Sequence, residues 1–570
     1  MAFGLAARAD GRTLMLQTKE MIENRQEHVR SLLLAARTLA SSGRVASAAF
    51  LRYGLEQERV LLAMAGSTPR PDLAEVSLSS NVRVATILDE FSSNSYGSCF
   101  QGVALHPDSW REQFETYRPE IFFCESAWSG PDSKLRPWKG KIYASKNFPK
   151  ENRSVLLEII AYCRKKGIPT VFWNKEDPTH YPDRVHDFVK TATEFDHVFT
   201  SAWECVPKYK GDYGLRSVHA LPFATNPALF NPIETTVRTD VVTFAGSWYA
   251  NHRERSEDMH RILRDLRATG FGLEIYDRYH GDDDPLHKWP EEYTPYLHPA
   301  VPHDQVAAIY KRSRLALNIN TVTQSRTMFA RRAFELMSSN TLVLSNYSVG
   351  MEEMFGQDVI FCDRETGRLG ALTTDDINAM RERNLQLVLS KHTYRHRWEE
   401  LLTAIRFRFR TATEAVTVVW PVKSLEDARA GATWFQQEAD LSRDQLLLLA
   451  LDEMPPLHIA TLYETFNRFG IVATSLRHAE DLLIEERYAP VETSHVALIR
   501  HNNPPENGWL ARARTHLQYV KDMPISPSGG VMKYSTSKLV EFDSTFLASM
   551  DALKLIANGN KSDGQFIYAV

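Results

Sequence analysis

One carboxylate, Glu335, stands inside the apolar run AFELM, directly after the pair Arg331 and Arg332. A carboxylate accepts hydrogen bonds from hydroxyls, and a guanidinium fork matches phosphate oxygens. For a lone glutamate in a helix, the plainer account is a solvated face. A second cluster lies in FWNKEDP, where Lys175, Glu176 and Asp177 follow a short β-rich run. Acids at a strand end suit proton transfer, and they suit equally well a helix N-cap with a neighbouring ion pair. Asp89, Glu90 and Glu125 occupy the same position after other β-rich runs.

The elements that must position these residues repeat as strand, loop and helix. Residues 82–90, 120–128, 168–178, 195–201 and 217–225 are β-rich runs ending in polar residues, with the amphipathic stretch SVLLEIIAYCRKKG between two of them. A second series follows a linker at 226–238: residues 240–248, 272–278, 314–322, 341–346 and 358–363. Apolar runs alternating with helices predict parallel sheets covered on both faces. Two such domains in tandem form a cleft at their strand C-termini, where open α/β sheets bind ligands. A helix over 394–410 closes the pair. Residues 13–65 carry apolar positions at helical spacing, broken by SSGR, and predict a helical hairpin for packing or self-association. From Thr417 a further α/β unit begins. The expected domains are 1–75, 80–232, 236–410 and 414–570.

Composition sets the outer bounds. A chain of 570 residues exceeds one core. The net charge of −4 gives no basic surplus for a nucleic-acid partner. No apolar run reaches the ~18 residues of a membrane span, and the first residues carry too short an apolar stretch for a secretory signal. The five cysteines are scattered and form no C-x-x-C pair, as in a reducing compartment. The expected location is cytoplasmic. The histidines and acids show no metal-ligand spacing, so no metal and no resident cofactor is expected.

The motifs ILDEFS, PEIFFCESAWSG, FWNKEDPTHY and FDHVFTSAWECVPKYK, followed by FAGSWYANHRER, LEIYDR and LNINTVTQSRTMFARRAFELMSSNTLVLSNYSVG, resemble in order those of CgeB-like bacterial glycosyltransferases of GT-B fold. The likeness spans residues 81–410. It implies a nucleotide-sugar co-substrate, with UDP as the default nucleotide, and a glycan, protein or lipid-linked acceptor. It places Glu335 on the ribose hydroxyls and Arg331 and Arg332 on the diphosphate, aided by backbone amides of Arg326–Met328 at the start of the same helix. Many retaining relatives carry a second acid eight positions before that glutamate; here the position is Thr327. Retention is the leaning expectation. Gly246 and Ser247 end a strand where close approach to a phosphate or sugar is needed, and Arg255 falls where the family has an arginine. Asp277 ends the strand that seats the base, and Asn318 and Asn320 point toward the cleft. The acceptor's base is sought among Glu176, Asp177, Glu125 and Asp89, and metal is not required. His219 is read as structural.

The last unit loosely resembles a GT-A-like domain. His501, Asn502 and Asn503 stand where metal-binding acids belong, so a degenerate, non-catalytic domain is expected. It would bind acceptor or brace a homodimer. Asp282–Asp284 read as a solvated loop. The rival readings are a GT-B-shaped epimerase or polyol-phosphate transferase, and a non-catalytic scaffold in glycan assembly.

Overall fold

The computed structural model describes residues 76–476 apart from 366, 413 and 469, and then 493–499, 504–520, 523–527, 533–538, 545–548 and 566–569. The expected helical hairpin of 1–75 lies outside the described residues. Val76–Ala412 forms one compact unit, and the described part of 413–570 belongs to another.

The larger unit holds two sheets. The first contains β1 (Arg83–Ile87), β2 (Gln101–Ala104), β3 (Ile121–Glu125), β4 (Thr170–Asn174), β5 (His197–Thr200) and β6 (Val218–Ala220). Its order is β2-β1-β3-β4-β5-β6 and every pairing is parallel. β3 and β4 read IFFCE and TVFWN and are buried at every position, as a sheet covered on both faces requires. Alternation along β3 sends Phe122 and Cys124 into the core on one face and Ile121 and Phe123 into the core on the other. The helix Ser154–Lys166 buries Leu156, Ile159, Ile160 and Cys163 and stops at Gly167, whose φ of 70° makes a left-handed cap.

The second sheet contains β7 (Thr239–Ala245), β8 (Gly272–Asp277), β9 (Leu297–Pro299), β10 (Ser313–Asn318), β11 (Leu342–Ser345) and β12 (Ile360–Phe361). Its order is β12-β11-β10-β7-β8-β9, again all parallel. In each sheet the strand order reverses once, between β1 and β3 and between β7 and β10. A crevice opens at such a reversal, outside the strand C-termini.

The helix Tyr394–Ala404 follows the second sheet in sequence but packs on the first. Trp398 is fully buried among Phe100, Phe123 and Leu401, and its Nε1 donates to Ser79 O at 2.9 Å. The helix ends at Ala404 rather than 410, because the chain turns at Arg406 with φ 57°. From there Arg410 N donates to Ser77 O at 2.9 Å.

In the other unit, β13 (Val416–Val422), β14 (Gln445–Ala450), β15 (Ile471–Ser475) and β16 (His495–Leu498) pair in parallel. β16 also pairs antiparallel with Thr545–Ala548, giving a mixed sheet. His501, Asn502 and Asn503 lie outside the described residues.

Candidate active site

At the reversal of the first sheet, Lys175 links two carboxylates. Its Nζ lies 2.8 Å from Asp89 Oδ2 and 2.8 Å from Glu125 Oε1. Asp89 N donates to Glu125 Oε1 at 2.6 Å. The Asp89 carboxylate also accepts from the amides of Trp128, Ser129 and Gly130 at 2.8–2.9 Å, pinning the loop after β3. Burial pushes Asp89 up, but Lys175 and the amides outweigh it and hold the carboxyl below its usual range. Burial raises Glu125 despite Lys175. Burial would lower Lys175, but the two carboxylates overcome it and push the ammonium up.

Asp177 does not face the cleft. It is fully buried and accepts from Asn174 Nδ2 at 3.0 Å, Thr200 Oγ1 at 2.7 Å and Tyr209 OH at 3.1 Å. Burial, the largest influence, pushes it up to about 7. Four acids were expected as bases, and the structure separates them. Asp89 and Glu125 are committed to Lys175, Asp177 braces the loop from beneath, and Glu176 is only partly buried. Glu176 Oε1 accepts from Trp128 Nε1 at 2.9 Å, which fixes its orientation.

At the reversal of the second sheet, Gly246 follows β7. A Cβ there would stand 2.7 Å from Phe244 Cζ and 2.8 Å from Arg332 Nη2, so the glycine makes room for the guanidinium. Arg332 lies over the Phe244 ring, 4.9 Å from its centroid. Arg255 is buried; its Nη2 donates to Ser247 O at 3.1 Å, while its Nη1 and Ser247 Oγ have no hydrogen-bond partner. Among the described residues, no carboxylate lies within ion-pairing distance of Arg255 or Arg332. Burial, and then the charge of Arg332, lower Arg255 to about 10. Two neighbouring guanidiniums thus stand without a counter-charge from the protein.

Arg331 is differently occupied. Its Nε donates to Glu335 Oε1 at 2.6 Å, and its guanidinium lies over Phe91 of the first lobe, 4.9 Å from the centroid. Glu335 is buried, with Tyr310 OH donating to Oε2 at 3.3 Å and His303 Nε2 3.8 Å from Oε1. Burial pushes its carboxyl up, but Arg331 and His303 outweigh this and hold it at about 2. The expected pair of phosphate arginines is therefore split. Arg332 is without an acid, and Arg331 keeps Glu335 ionised.

Further expectations are corrected. The helix begins at Arg332, not at 326, because residues 325–328 reach across to the first lobe. Thr327 Oγ1 donates to Ser201 O at 2.7 Å and accepts from Trp203 N at 2.8 Å. Arg326 N donates to Glu204 Oε1 at 2.6 Å, and its side chain pairs with Glu353. The amides of Thr327 and Met328 are taken by Ser325 Oγ. Asn318 and Asn320 turn inward. Asn318 Nδ2 donates to Asn320 Oδ1 at 3.0 Å, and Asn320 Oδ1 also accepts from Ala330 N at 2.9 Å, so the two asparagines hold the approach to Arg331 and Arg332. Asp277 is buried, with Oδ1 accepting from Tyr279 N at 3.3 Å. Metal-ligand spacing is present after all: His180, Asp183 and His186 converge in the loop after β4. Their H-x-x-D-x-x-H spacing was readable in the sequence. His303, Tyr310 and Phe91 carried no such signal, since only the fold brings them to Glu335 and Arg331.

Two parallel sheets, each with one strand-order reversal, define a two-lobed Rossmann-like architecture. Residues 253–403 match a family model described as glycosyl transferase-like, which gives the enzyme class: a glycosyltransferase. No curated protein matches the sequence. Similar solved structures include an alpha-glucosyltransferase in complex with UDP, with 9% identity over 57% of this chain and 100% of its own and a TM-score of 0.40. A glycosyltransferase from Rickettsia africae shares 10% over 57% and 97%, at 0.36. T4 phage BGT in complex with UDP and Mn2+ shares 12% over 57% and 99%, at 0.33.

Proposed function

We propose that the chain transfers a sugar from a nucleotide-diphosphate donor, UDP-linked by expectation, to a glycan, protein or lipid-linked acceptor, as a CgeB-like enzyme of GT-B fold. The observation that carries this reading is the pair Arg255 and Arg332, two neighbouring guanidiniums without a carboxylate, set around Gly246 at the reversal of the second sheet. A diphosphate supplies the missing negative charge, and charge-assisted bonds to it contribute about 1.5–3 kcal/mol each. Glu335 lies beside them, ionised and able to accept from ribose hydroxyls. The acceptor would lie against the first lobe. There Glu176 is the acid best placed to take a hydroxyl proton, since Asp89, Glu125 and Asp177 are occupied by structural bonds. With no second acid at Thr327, the leaving diphosphate depends on the arginines; the leaning toward retention rests on the likeness of the C-terminal motif to retaining relatives.

The test is thermal shift with UDP, GDP, CDP and dTDP on the wild type and on Glu335→Ala. A ligand present at about 100 times its Kd stabilises the fold by about 2.7 kcal/mol. A shift with UDP, GDP or dTDP alone, diminished in the variant, supports the reading and names the donor. No shift with any of the four favours a scaffold, and a shift confined to CDP favours a polyol-phosphate transferase.

A further inference from the structure

The loop after β4 brings three potential ligands to one point, and we propose that His180, Asp183 and His186 bind a single divalent first-row transition-metal ion. The Nδ1 atoms of both histidines lie 3.0 Å from the same oxygen, Asp183 Oδ2, and the three ligand atoms all fall within 4.8 Å of one another. Bonds of about 2.0–2.2 Å to nitrogen and oxygen place neighbouring ligand atoms about 2.9–3.4 Å apart, so little movement separates the observed cluster from a coordination shell. Two imidazoles with one carboxylate suit zinc, iron, cobalt or nickel better than the hard cations magnesium and calcium.

The surroundings hold the ligands in this arrangement. Asp183 Oδ1 accepts from Val185 N at 2.7 Å and His186 N at 3.1 Å, which turns Oδ2 toward the histidines. The Trp128 ring packs edge-on against both imidazoles, with centroids 5.5 and 5.1 Å away, and Trp128 is itself anchored on Glu176. Outer contacts of this kind fix ring orientation in metal sites. The three side chains are 24–36% exposed, so an ion can enter, and three protein ligands leave positions for water or another ligand. The proposal stands on this loop alone and does not depend on the nucleotide reading.

The experiment uses the full chain with any affinity tag removed. The protein is stripped with chelator, dialysed against Zn2+ or Co2+, and its metal content measured by mass spectrometry beside Asp183→Asn and His186→Ala. The expected result is one equivalent of zinc in the wild type, binding at least tenfold weaker in both variants, and visible absorption bands from bound Co2+ that differ from those of the aqueous ion. Circular dichroism checks that each variant is folded, and the wild-type measurement stands if either is not. A wild type that retains no zinc and leaves the cobalt spectrum aqueous overturns the proposal and leaves a hydrogen-bonded cluster only. Equal zinc in the wild type and both folded variants overturns it too, since the ion then sits elsewhere.

Discussion

Replacing Arg332 by alanine separates a guanidinium kept for an anion from one that holds the fold together. Without ligand, two contributions oppose each other. Arg332 repels the buried Arg255, which is lowered to about 10 by burial first and by Arg332 second; removal relieves that repulsion. Removal also forfeits the contact with the Phe244 ring, about 0.5–2 kcal/mol for a cation on an aromatic face. The net change in unliganded stability is expected within about 1 kcal/mol, read from urea unfolding. Binding changes in one direction only. Loss of a charge-assisted contact of about 1.5–3 kcal/mol weakens the nucleotide diphosphate about 10–150-fold, read by calorimetric titration. Arg332→Lys keeps the charge without the planar fork and should fall between the two. The opposite pattern refutes the reasoning: a variant destabilised by more than about 2 kcal/mol that binds nucleotide with unchanged affinity makes Arg332 a packing residue.

Two more predictions concern the frame around the pocket. Lys175→Met leaves Asp89 and Glu125 buried without their cation, so urea unfolding at pH 7 should show a loss of about 3–5 kcal/mol. The loss should shrink at acid pH, because Glu125 has a raised pKa and takes up a proton early. His392 and His396 are held neutral, lowered chiefly by burial to about 3 and about 4. Their ordinary value is about 6.5, so the unfolded chain binds more protons below that pH, and stability falls as pH drops from about 6.5 toward 4, by up to about 1.4 kcal/mol per unit for each group. His396→Gln retains an acceptor for the Thr393 cap and should flatten the slope of urea midpoint between pH 7 and 5. An unchanged slope removes His396 from this account.

The central strands were legible because burial on both faces makes them continuous apolar runs, as in IFFCE and TVFWN. In the larger unit the strands missed were edges. β2 reads QGVA and is largely exposed, and β9 is the three residues Leu297–Pro299, so neither needed an apolar pattern. Within the site, the sequence could point to Glu335, Arg331, Arg332 and Gly246 by type and spacing, but it could not say which arginine was already engaged. That depends on helix phase: Arg331 is four residues before Glu335 and reaches it along one face, whereas Arg332 is rotated toward Gly246. The inward turn of Asn320 and the bracing role of Asp177 were hidden for a similar reason. Both lie in the turns after strands, Asn320 two residues past β10 and Asp177 three past β4, where strand alternation no longer tells which way a side chain points.

The split between the arginines also fixes the charge of the pocket. A carboxylate as buried as Glu335 would take up a proton if left alone, and a protonated acid is a weaker acceptor for sugar hydroxyls. Arg331 prevents this, keeping the carboxyl at about 2, and in doing so it cancels the charge it protects. What remains uncompensated is the pair Arg255 and Arg332, which matches a doubly charged diphosphate. Had Arg331 also faced the phosphates, Glu335 would have lost its partner and the pocket would have held three cations against two negative charges. On the proposed reading one arginine serves the acceptor of hydroxyls and two serve the anion, and that division gives each charge of the site a partner once a nucleotide diphosphate binds.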